Sequence, residues 1–235
     1  MVIALAVATW QATRAARRLP PTLLAIRPEQ LADFTCLALL GGVVGGRLFY
    51  VVLEWEWFRR NPWELFAIWH GGLVWYGGFL GGLIAGWSYA RAKRLAWLRV
   101  IDQLIPFLAL GHAIGRLGCF LNGCCYGRPT DAWWGVVFPD HAEAVLPTQL
   151  VEAAGLFLLY GVLRWLQRPR LLARPGGLLA RYLMGYGLLR FGMEFLRGDQ
   201  TIWWAGLTLQ QLISLSIFIV GSILYKRANQ VRGVR

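Results

Sequence analysis

The fold is decided at Ala32–Leu53, which reads ADFTCLALLGGVVGGRLFYVVL. Its length matches the ~20 apolar residues that carry a helix across a hydrocarbon core of ~30 Å. Apart from Asp33 near its start and Arg47 near its end it is uncharged. A surface helix of a soluble domain shows one apolar stripe, whereas this stretch is apolar all round, so it reads as a membrane span. The glycines between Gly41 and Gly46 mark a face built for close packing.

The pattern repeats outward from there. Apolar runs of comparable length lie at Leu73–Tyr89, Val100–Leu121, Thr148–Trp165, Leu178–Leu196 and Leu209–Tyr225, which makes six full spans. Met1–Trp10 is apolar too, but at ~1.5 Å per residue it covers only about half a bilayer and is expected to be a truncated first segment. It is not read as a signal peptide, because Arg14, Arg17 and Arg18 follow the apolar run instead of preceding it. The composition agrees, with 57% hydrophobic and 15% charged residues and 13 tryptophans among 235 residues. One integral membrane domain is expected over residues 1–235.

A net charge of +12 invites a nucleic-acid reading, but the 24 lysines and arginines form no single patch. They alternate. Arg14, Arg17, Arg18 and Arg27 follow the first segment, Arg91, Lys93, Arg94 and Arg99 the third, Arg168, Arg170 and Arg174 the fifth, and Lys226, Arg227, Arg232 and Arg235 the last. The intervening loops hold only Arg59 with Arg60, then Arg128, then Arg197. Basic loops stay cytoplasmic, so seven segments with the N-terminus outside and the C-terminus inside are expected. The tryptophan-rich stretch Glu54–Ile68 reads as a segment lying at the membrane interface.

Three arginines remain within spans: Arg47, Arg116 and Arg190. An arginine at that depth costs several kcal/mol unless it finds a partner, so each is a functional candidate, with a structural ion pair as the plainer alternative. The expected topology places all three in the outer half of the bilayer, together with Tyr76, Gln149 and Glu152. Glu194 lies four residues after Arg190 and on its face of the helix. In HGGLVWYGGFLGGLIAG, His70–Gly86, the small residues Gly77, Gly81 and Ala85 and the set Gly78, Gly82 and Gly86 recur every four residues. That spacing serves close helix packing, while Gly77 and Gly78 beside Tyr76 can also bring backbone to a ligand.

Gly115–Gly127 reads GRLGCFLNGCCYG and is too rich in glycine to stay a regular helix to its end. Irregular backbone near the membrane surface calls for a polar cavity, here lined by Arg116 and Asn122. Cys119, Cys124 and Cys125 lack the C-x2-C spacing of a zinc site, and no other cysteine and histidine set completes four ligands, so neither metal nor cofactor is expected. A redox pair stays open, the plainest reading being that small side chains fit a crowded turn.

With these residues in hand, the chain resembles the prolipoprotein diacylglyceryl transferase family. Gly115–Gly127 is similar to that family's G-R-x-G-N-F-x-N-G-E-x-x-G signature at Gly115, Arg116, Gly118, Phe120, Asn122, Gly123 and Gly127. GGRLFY at Gly45–Tyr50, LPTQLVEA at Leu146–Ala153 and YGLLRFGMEFLR at Tyr186–Arg197 carry further likeness. Three positions depart: Tyr76 stands where the family has histidine, Cys119 where it has asparagine and Cys124 where it has glutamate. The resemblance implies a multi-pass enzyme of the bacterial inner membrane that moves the diacylglyceryl group of phosphatidylglycerol to the lipobox cysteine of a prolipoprotein. It implies catalytic work for Arg116, Arg190 and Tyr76. It also implies substrate contacts for Arg47, Asn122, Gly127, Gly77, Gly78, Gln149, Glu152, Tyr186 and Glu194. Competing readings are a divergent paralogue that binds the same lipid without transfer, an anion transporter and a membrane thiol oxidoreductase.

Overall fold

The computed structural model describes residues 2–139, 142–197, 202–204 and 206–230. Helices cover every apolar run: α1 (Val2–Ala16), α2 (Pro28–Leu53), α3 (Trp55–Arg60), α4 (Trp75–Ala92), α5 (Trp97–Leu121), α6 (Thr148–Leu166), α7 (Pro169–Leu172), α8 (Gly177–Glu194) and α9 (Leu209–Gln230). A strand pair, β1 (Ile202–Trp204) and β2 (Leu207–Thr208), precedes α9. Among the described residues, four helices, α2, α5, α6 and α9, are long and apolar enough to cross a membrane. Helices α4 and α8 run 18 residues each, about 27 Å at the helical rise per residue. Helix α1 continues past the expected half-segment, through Arg14 to Ala16.

The all-helical expectation needs one adjustment. The antiparallel pair β1 and β2, and the bridges Pro129–Val145 and Val136–Val145 in the loop after α5, are extended backbone. Those segments connect helices without being apolar spans, and pairing satisfies their N–H and C=O groups.

The chain divides into two compact units, Ala25–Val100 and Met1–Leu24 with Ile101–Arg235. In the first, α2 and α4 meet through glycine. A Cβ added to Gly41 would lie 2.7 Å from the carbonyl oxygen of Gly81, and one added to Gly81 would strike the carbonyl of Gly41. Gly45 and Gly77 oppose each other in the same way. The small-xxx-small spacing read from the sequence is therefore the α2–α4 contact. Gly78 lies off this line, since its Cβ would sit at an ordinary 3.5 Å from Gly42. Gly81→Ala should lower the thermal midpoint of the purified protein, with an overpacking cost of about 1–3 kcal/mol, while Gly78→Ala leaves it near the parent's. Equal effects of the two substitutions would contradict this packing.

In the second unit a buried cluster of Ile105, Ala109, Leu163, Leu172, Leu178 and Tyr182 joins α5, α6, α7 and α8. Asp102 of α5 locks the start of α8. Its carboxylate accepts the N–H groups of Gly176 at 2.6 Å, Leu178 at 3.0 Å and Leu179 at 2.8 Å. These are donors that a helix start otherwise leaves unpaired, and a negative charge there also suits the helix dipole. Helices α8 and α9 also approach through glycine: a Cβ on Gly187 would lie 2.8 Å from the carbonyl of Ser214.

Candidate functional site

In the unit containing α5, α6 and α8, three helices contribute polar side chains to one cluster. Helix α5 carries His112 and Arg116, four residues apart and so on one face. The first turns of α6 carry Gln149 and Glu152, and α8 carries Tyr182, Tyr186, Arg190 and Glu194 at successive four-residue steps.

Glu152 is the hub, with a side chain only 4% exposed. Its Oε2 lies 3.0 Å from Nε of Arg116, and its Oε1 lies 4.0 Å from Nε2 of His112. The His112 ring sits 5.5 Å from that of Tyr186, which stacks at 5.7 Å on Tyr182. The charges of Arg116 and Arg190 both reach His112 and Tyr186. Arg190 is held in turn by Glu194, with 3.4 Å between Nη2 and Oε2. Two half-buried guanidinium groups are thus each steered by a buried carboxylate on a neighbouring turn or helix.

The carboxylate of Glu194 is fixed from its other side. Its Oε1 accepts the hydroxyl of Thr208 at 2.7 Å. Thr208 opens α9 with a reciprocal capping box: its Oγ1 accepts the N–H of Gln211 at 3.2 Å, and Oε1 of Gln211 accepts the Thr208 N–H at 3.0 Å. One hydroxyl therefore caps a helix and orients the partner of Arg190.

The Gly115–Gly127 stretch ends α5 as a Schellman turn. The Cys124 N–H donates to the carbonyl of Cys119 and the Gly123 N–H to that of Phe120, both at 3.1 Å, with Gly123 at φ +64°. This is the left-handed position that glycine fills without penalty. Gln149, 1% exposed, donates its amide to the Cys124 carbonyl at 2.7 Å, and the Thr148 hydroxyl donates to that of Cys125 at 3.0 Å. Asn122 is exposed at the helix end. Gly127 is buried, donates to the Leu146 carbonyl at 2.8 Å, and has no room for a side chain, since a Cβ would strike Leu196 and Thr148. The three cysteines of this stretch lack C-x2-C spacing, yet their sulfur atoms all lie within 4.8 Å of one another.

The remaining predicted residues lie in the unit of α2 and α4. Arg47, 6% exposed, directs its N–H groups at five backbone carbonyls: Leu65 at 3.1 Å, Gly71 at 2.6 Å, Gly72 at 3.3 Å, Ala67 at 3.3 Å, and Glu64. Gly71 and Gly72, at φ +85° and +76°, turn those carbonyls toward it. His70 Nδ1 lies 2.9 Å from Oε2 of Glu64. Tyr76 is exposed at the start of α4 with its ring edge-on to Trp75, Gly77 is buried at the α2 contact, and Gly78 is partly buried. His112, Thr208 and Asp102 were not singled out from the sequence. His112 lies one turn before Arg116 and Thr208 begins a T-x-x-Q capping pattern, and both signals were present to be read.

The prolipoprotein diacylglyceryl transferase family profile matches residues 1–227. The chain is similar to the phosphatidylglycerol–prolipoprotein diacylglyceryl transferase of Cupriavidus metallidurans, at 36% identity over 213 residues, 86% of this chain and 78% of the relative. It is similar to that of Methylococcus capsulatus at 38% over 213 residues, 86% and 79%. A third relative, from Nitrosomonas europaea, is 39% identical over 206 residues, 84% and 73%.

Proposed function

The chain belongs to the prolipoprotein diacylglyceryl transferase family, and from that premise we propose that it transfers the diacylglyceryl group of phosphatidylglycerol to the lipobox cysteine thiol of prolipoproteins. The observation that carries the reading is the pair Arg116 and Arg190, each half-buried and each steered by a buried glutamate. Planar guanidinium groups bind phosphate oxygens bidentately, and a low-dielectric surround strengthens the contact.

In the proposed reaction the lipobox thiol first loses its proton to solvent, and a positively charged site raises its thiolate fraction. The thiolate forms a bond to the glycerol carbon that bears the phosphate, the carbon–oxygen bond breaks, and its electron pair leaves with glycerol phosphate. Negative charge grows on the departing phosphate, so Arg116 and Arg190 stabilise the transition state more than the bound lipid. Glu152 and Glu194 hold the two guanidinium groups in place. Gln149 and Gly127 shape the turn that carries Asn122, while Tyr186 walls the cluster beside His112. Arg47 shapes the loop at Gly71 and Gly72. Tyr76 supplies a hydroxyl donor that orients lipid or thiol.

The chain works as a seven-segment protein of the bacterial inner membrane, N-terminus out and C-terminus in, with the arginines in the leaflet where phosphatidylglycerol and the lipobox peptide meet. The alternating basic loops support that orientation. Expression in cells depleted of their own diacylglyceryl transferase should restore conversion of lipoprotein precursors to the lipidated form. Precursor accumulating beside a fully inserted chain would overturn the reading in favour of a paralogue that binds lipid without transfer.

A further inference from the structure

The geometry points to a three-thiolate binding site for cuprous ion, formed by Cys119, Cys124 and Cys125 at the C-terminal end of α5. The Schellman turn is what assembles it. That motif returns the chain so that the residue after the left-handed glycine, here Cys124, lies against the residue five positions earlier, here Cys119, a place where side chains regularly touch. Cys125 is itself left-handed at φ +65°, and its Sγ lies 3.7 Å from that of Cys124. All three sulfur atoms fall within 4.8 Å of one another.

Metal–sulfur bonds of ~2.3 Å arranged in a trigonal plane place the sulfurs about 4.0 Å apart. The observed spacings, 3.7 Å for one pair and at most 4.8 Å for all three, bracket that of a three-coordinate thiolate complex. Zinc in a structural site takes a fourth nitrogen, oxygen or sulfur ligand, and among the described residues no histidine or carboxylate joins the trio. Soft thiolates with a low coordination number favour cuprous ion.

Charge and framework both suit it. Three thiolates and one cuprous ion carry a net charge of −2, and Arg116 stands one turn before Cys119 on α5. The carbonyls of Cys124 and Cys125 are already held by Gln149 and Thr148, so binding has little backbone left to order. Binding exchanges up to three S–H protons, released to solvent, for one cation. The copper enters and stays cuprous.

The test uses the full chain, reduced, purified in detergent and kept anaerobic, titrated with cuprous ion against a coloured cuprous chelator. One ion per chain should bind, with a near-ultraviolet thiolate-to-copper absorption band and three fewer N-ethylmaleimide adducts on the loaded protein. Cys36→Ser should bind as the parent does, because Cys36 lies in α2, outside the trio. Losing an outer-shell partner already costs about 10- to 100-fold in metal affinity, so Cys119→Ser, Cys124→Ser and Cys125→Ser should each cost at least that. Substoichiometric binding to the parent, unprotected thiols on the loaded parent, or a Cys119→Ser protein that holds the ion as tightly would overturn the site. The alkylation readout on the parent needs no variant and decides the matter if a substitution disturbs folding.

Discussion

Arg116→Ala and Arg190→Ala should each lower diacylglyceryl transfer by about 10³-fold or more, roughly 4 kcal/mol of barrier, in protein that still inserts. Both guanidinium groups are mostly withdrawn from solvent, with side chains 18% and 13% exposed. Each is aimed by a carboxylate that is more deeply buried than itself. A preorganised charge of this kind acts at full strength on the departing phosphate, because nothing has to reorient when the reaction occurs. Lysine at either position should restore little, since an ammonium supplies charge without the planar fork. The check is the transfer rate per unit of membrane-inserted protein. Parental rates in either alanine variant would contradict the clamp.

Glu152 should separate folding from chemistry. Removing one partner of a buried ion pair costs about 3–5 kcal/mol, so Glu152→Ala should lose both yield and thermal stability. Glu152→Gln keeps the side chain's size and a polar oxygen beside Arg116 and should stay folded. It should nevertheless transfer about 10- to 100-fold more slowly, about 1.4–2.7 kcal/mol of barrier, because the guanidinium is no longer held by a full charge. If the two side chains act as one unit, combining Arg116→Lys with Glu152→Gln should cost less than the sum of the single effects, with a coupling of about 0.5–3 kcal/mol. Thermal melts and transfer assays on the four proteins measure this. A Glu152→Gln protein with parental melting and parental rate would show that the 3.0 Å contact has no part in catalysis.

Much of this arrangement was legible in the sequence because membrane physics writes it there. Apolar runs locate the helices, since a bilayer admits little else. Four-residue glycine spacing locates the α2–α4 contact, because only the absence of Cβ lets two backbones approach that closely. Arginines inside apolar runs point to the cluster around Arg116 and Arg190, whereas Arg47, chosen on the same ground, is engaged with backbone carbonyls. What escaped was whatever depends on backbone direction. The five carbonyls around Arg47 converge through the positive φ angles of Gly71 and Gly72, and residue types do not state where a carbonyl points. The three cysteines looked like a sequence without ligand spacing because C-x2-C counts assume other turns. The Schellman geometry that brings Cys124 onto Cys119 becomes visible only with the φ of Gly123 in hand. The short strands before α9 were missed because the apolar period gives no sign of extended pairing over two or three residues. His112 was passed over although it stands one turn before Arg116.

The most direct test is transfer in a defined mixture: purified protein, phosphatidylglycerol labelled in its acyl chains, and a lipobox peptide bearing a single cysteine. The peptide should gain a thioether-linked diacylglyceryl group, one glycerol phosphate should appear for each transfer, and a peptide with serine in place of that cysteine should gain nothing. Phosphatidylglycerol that binds to the protein yet yields neither thioether nor glycerol phosphate would contradict the assignment.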